Sequence, residues 1–128
     1  MESVVSILSQ YTNDFEAVIR IFSPEEGGRK ASICNGIRWD FAYASDIMPL
    51  TLYMIYPDFC DQEGRSLPDD QPLPTGVDLP AGMFVLVKEM RDFHRQKIRK
   101  GVRFYCHEGG RRVAEGVVTR ITGLLNER

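Results

Sequence analysis

Apolar and polar positions alternate along much of this chain with a period of two, the signature of half-buried strands. Phe15, Ala17, Ile19 and Ile21 share one parity, and Ile37, Trp39, Phe41 and Tyr43 alternate with Arg38, Asp40, Ala42 and Ala44. "PLTLYMIY" is a β-rich run with both parities filled, and "MFVLVKEM" reads as a further strand. "VRFYCH" and "RRVAEGVVTRITGLL" flank Gly109-Gly110, predicting a hairpin with a primed turn in which both glycines take positive φ. Before the first strand, Val4, Val5, Ile7, Leu8 and Tyr11 partly fit helical spacing, so residues 1–13 are expected as a short helix or arm and residues 14–128 as the folded domain.

Between the middle strands lies "PDFCDQEGRSLPDDQPLPTGVDLPAG", which holds five of the seven prolines and reads as a long surface loop. The prolines are expected between strands, not inside them. "RDFHRQKIRK" reads as a polar connection turning Phe93 and Ile98 inward. Six strands with little helix predict an all-β barrel or sandwich. Glu115 breaks the pattern, because it shares parity with the apolar Val113 and Val117. Either a bulge at Gly116 resets the register, or Glu115 meets a basic partner at a rim.

A length of 128 residues with 43% hydrophobic and 27% charged residues fits one soluble domain with one core. No apolar run reaches ~18 residues, and the N-terminal stretch lacks a basic start, so neither a membrane span nor a secretory signal is expected. Cys34, Cys60 and Cys106 are odd in number and dispersed, which fits reduced thiols in a cytoplasmic setting. The net charge of −2 conceals segregation: nine of the sixteen Lys and Arg residues fall between Lys88 and Arg112, and six acids oppose only Arg65 between Pro57 and Leu79. A basic face of this kind can steer an anionic partner.

Catalysis finds no support in this pattern. Cys106 and His107 are adjacent in a strand and so point to opposite faces, which separates nucleophile from base. Two histidines and three scattered cysteines form no metal set, and Asp58, Asp61 and Glu63 lack the full spacing of a calcium loop. No catalytic residue, metal or cofactor is therefore expected.

Two motifs repeat: Glu26-Gly-Gly-Arg29 and Glu108-Gly-Gly-Arg111. With Gly36-Ile-Arg38, Gly101-Val-Arg-Phe104 and Gly116-Val-Val118, in that order, they make residues 14–124 resemble the third, C-terminal barrel domain of elongation factor Tu. The resemblance implies a six-stranded antiparallel Greek-key barrel. It also implies a surface that touches tRNA backbone and protein partners. Carried over position by position, that surface would use Arg29, Lys30, Arg38, His94, Gly109, Arg111 and Arg112. Trp39-Asp40 replaces the family's Pro-Gln, and Ala114 and Glu115 replace a Gly-Ala pair. No P-loop is present, so GTP binding is not expected. The expected function is a non-catalytic binding module, with a protein partner favoured over RNA because of the acidic net charge; the alternative is a purely structural or self-assembling barrel.

Overall fold

A computed structural model describes residues 12–28, 31–46 and 48–126. The expected arm at residues 1–13 lies outside them but for its last two residues. Six strands form one antiparallel sheet: β1 Phe15–Ile21, β2 Asp40–Tyr43, β3 Ile55–Phe59, β4 Asp78–Val85, β5 Arg103–Glu108 and β6 Arg111–Ile121. Their order is β2-β5-β6-β1-β4-β3, and β2 meets the segment just before β3 through an isolated bridge between Phe41 and Tyr53. That bridge consists of two backbone hydrogen bonds of 2.9 and 2.8 Å, which close the curled sheet into an all-β barrel. Only β3–β4 and β5–β6 are both consecutive in sequence and laddered as neighbours in the sheet.

The period-two reading holds in β1, whose residues alternate between buried and half-buried along its whole length. Inside the barrel, Phe41 stacks on Phe104 at 4.6 Å between ring centres and meets Phe15 and Tyr43 edge-on. Trp39 and Phe59 make a further edge-on pair. Aromatic pairs of this geometry add about 0.5–1.5 kcal/mol each beyond their buried area.

Two sequence expectations fail at the prolines and at the polar connection. β3 runs through Pro57 and β4 through Pro80, inside the stretch read as loop. Pro57 lies opposite Met83, whose carbonyl accepts from Asp14 on the β1 side, so the proline nitrogen faces away from β4. The Pro80 carbonyl accepts from the Cys60 N–H, so its nitrogen faces a side where β3 has already ended. Neither position asks for the missing donor.

The connection contains helix α1, Arg91–Lys97. Its inward side carries Arg91 and His94, followed by Ile98, while Phe93 points outward at 40% exposure. The expected inward turn of Phe93 is thus reversed. Arg91 pairs with the buried Asp14 and donates to the carbonyls of Gly123 and Asn126 at 2.9 and 2.8 Å.

Glu115 is resolved by both devices at once. β6 bulges at Val113, because Cys106 faces Ala114 while His107 faces Arg112. Val113 and Ala114 then point inward in succession, which turns Glu115 outward. There its carboxylate accepts from Arg20 Nη2 at 2.9 Å. The bulge sits three residues before Gly116. Gly116 has a different task, since a Cβ there would lie 2.7 Å from Phe104 Cε2, inside van der Waals contact.

Candidate partner-binding surface

The two Glu-Gly-Gly-Arg segments are both turns, built differently. In the first, Pro24–Glu26 form one 3-10 turn whose Glu26 carboxylate accepts from the Ser23 N–H at 3.1 Å and hydroxyl at 3.2 Å. Gly27 closes it with φ 90°, and a Cβ on Gly28 would collide with the Phe22 carbonyl. Arg20 beside Glu26 holds that carboxyl below the usual carboxylate range. The second turn joins β5 to β6. Gly109 has φ 58°, whereas Gly110 is not in the positive region, so the φ signs are those of a type II′ turn and not the expected double-positive one.

The turns hold each other. Arg111 Nη2 donates to the carbonyls of Gly27 and Gly28 at 3.0 and 2.6 Å. Glu108 accepts from the indole N–H of the buried Trp39 at 2.9 Å. The motif occurs twice for an architectural reason: one turn supplies two carbonyls, the other the guanidinium nitrogen that binds both.

Four of the seven candidate residues gather near this end. Arg38 is exposed, and the β2–β5 register, extended two residues past Asp40↔His107, brings it level with Gly109. Arg112 is exposed, with its guanidinium 3.9 Å from the centre of the Tyr105 ring. Gly109 and Arg111 complete the group. Arg29 and Lys30 lie outside the described residues.

His94 does not belong to this surface. It is 1% exposed and shares a 2.6 Å hydrogen bond with the Tyr43 hydroxyl, with Tyr53 edge-on at 4.8 Å. A connection turning Phe93 inward leaves its neighbour His94 outward; the helix starting at Arg91 instead turns His94 into the core. Burial, with Lys97 nearby, lowers its pKa to about 4.

Much of the basic stretch from Lys88 to Arg112 serves the fold. Arg91 and Arg95 pair with Asp14 and Asp92, and Lys97 pairs with Asp46 while lying over the Tyr43 and Phe93 rings. Arg99 donates to the carbonyls of Arg95 and Ile98. Among the described residues, Arg38, Arg103 and Arg112 have no carboxylate partner within ion-pair distance. Arg103 and Tyr105 were absent from the expected surface. Parity could have found them, because Arg103, Tyr105 and His107 alternate with the buried Phe104 and Cys106.

The same alternation separates Cys106 from His107. Burial inside the barrel pushes the Cys106 thiol up to about 12, and burial on the opposite face lowers the His107 pKa. All three cysteines are free. In the acidic segment Asp58 accepts from Asn35 and Ser66, and Asp61 accepts from the N–H groups of Glu63 and Arg65, so Asp61 binds its own loop and Asp58 ties that loop to the β1–β2 connection. No helix among the described residues is long and apolar enough to cross a membrane. No protein-family model matches the chain.

Proposed function

We propose that this chain is a stand-alone relative of the third domain of elongation factor Tu that works as a non-catalytic binding module in the cytoplasm. Its basic end, around the β5–β6 turn, takes a protein partner in preference to RNA. One observation carries the reading. Arg112, next to the β5–β6 turn, and Arg38, two residues before β2, stand exposed and without a carboxylate, whereas Arg20, Arg65, Arg91, Arg95 and Arg120 are all ion-paired. Unpaired guanidinium forks are suited to carboxylates and phosphates. Arg111 then acts as a positioning residue, fixing one turn against the other. The resemblance rests on the repeated turns and on the arginines carried with them.

Self-assembly by strand addition is less well supported, because the β3 edge is closed. Pro57 offers no N–H, and the Phe59 N–H and carbonyl are both taken by the Asn35 side chain at 2.8 and 3.0 Å. The test is capture from lysate of the source cell with wild type beside an Arg38→Ala/Arg112→Ala variant, identifying both protein and RNA. A protein retained by wild type and lost by the variant is the expected result. Equal recovery by both would remove the basic end from the function.

A further inference from the structure

We infer that the outer face of β5–β6 is a docking strip for an extended acidic segment of a partner protein, a reading that rests on the proposed binding function and gives its partner a chemistry. The strip starts at Arg103, continues to the Tyr105–Arg112 stack and ends near Arg38. Arg103 and Tyr105 are two residues apart on one face of β5, a step of about 7 Å. An extended peptide repeats its same-face side chains at the same interval. Acidic residues at i and i+2 would therefore meet Arg103 and Arg112 together. Arg112 has one face on the Tyr105 ring, 3.9 Å from its centre, which leaves the guanidinium edge for a bidentate carboxylate. Neither arginine has to release an internal carboxylate first.

Beside Arg103 is a hollow of about 120 Å³ lined by Val18, Gly116 and Val117, with Arg20, Asp78 and Glu115 also bordering it. The acids on the face argue against a nucleic-acid backbone. Asp40 faces His107 in the register, and Glu115 faces Tyr105, so evenly spaced phosphates following the strip would approach both carboxylates. A peptide can place charge at the arginines alone.

The experiment titrates the ¹⁵N-labelled full chain with the peptide Leu-Ser-Glu-Ser-Glu-Ser at low salt, beside its Glu→Gln form and a 12-nucleotide oligouridylate. Expected are amide shifts confined to β5, β6 and the Arg38 region, with at least five-fold weaker binding for the Gln peptide and for the Arg103→Ala and Arg112→Ala variants. The same spectra report whether each variant is folded. Absent shifts, shifts elsewhere, equal binding of the Gln peptide, or tighter binding of oligouridylate at these amides would each overturn the inference. Should the peptide fail while lysate capture still depends on Arg38 and Arg112, only the acidic-segment inference falls. Failure of both removes the binding reading as well.

Discussion

His94 makes stability depend on pH in a window where few other groups titrate. Its imidazole is buried against Tyr43, Tyr53 and Phe93, with Lys97 as the nearby cation and Asp46 paired to that lysine. The folded pKa of about 4 lies below the ordinary 6.5, so the unfolded chain binds the proton more readily. Stability from keeping His94 neutral is complete above pH 6.5 and is lost progressively as pH falls toward 4. At ~1.4 kcal/mol per pKa unit the ceiling is about 3 kcal/mol, and solvent relaxation at the barrel end brings the expected loss nearer ~2 kcal/mol. His107, also lowered by burial, acts in the same direction. Urea unfolding at pH 7.5, 6, 5 and 4.5 should show the midpoint falling by about 1 M, given slopes of ~1–3 kcal/mol/M. His94→Gln, which keeps a hydrogen-bonding group for Tyr43 but cannot titrate, should flatten most of the fall between pH 6.5 and 4.5. An unchanged midpoint for wild type across that window, or an identical fall in His94→Gln, would refute the reasoning.

Two further outcomes follow from packing. Gly116→Ala should lose about 1–3 kcal/mol in urea unfolding, because its Cβ meets a Phe104 ring already stacked on Phe41; Phe104→Leu in the same chain should recover part of it, and additive losses would contradict the contact. Asn35→Ala should cost about 2–4 kcal/mol by stripping partners from Phe59 and from the Leu67 carbonyl. It should also abolish the slow hydrogen exchange of the Phe59 amide; retained protection there would show that another group caps this edge.

What could be read from the sequence followed from how locally each feature is encoded. The strand β1 and the β5–β6 hairpin were legible because burial imposes a period of two and glycine marks the turn. Helix α1 was not, because its core-facing positions are Arg91 and His94, residues made acceptable by Asp14 and Tyr43 from distant parts of the chain. The ends of β3 and β4 were hidden by Pro57 and Pro80, whose fitness depends on which way a ladder faces. At the surface, parity alone places Arg103, Tyr105 and Arg112 outward. The role of Arg111 was beyond reach of pattern, since a guanidinium fork serves an internal carbonyl as well as a partner. Only the approach of Gly27 and Gly28 decides it.

That approach also limits how the basic end can be used. Any ligand drawing on Arg111 Nη2 competes with two carbonyls of the protein itself. Giving up those bonds forfeits about 1–2 kcal/mol, roughly a ten-fold loss of affinity. Selection for binding at this end therefore favours the neighbours of Arg111 over Arg111 itself, and changes in one turn constrain which changes the other can accept.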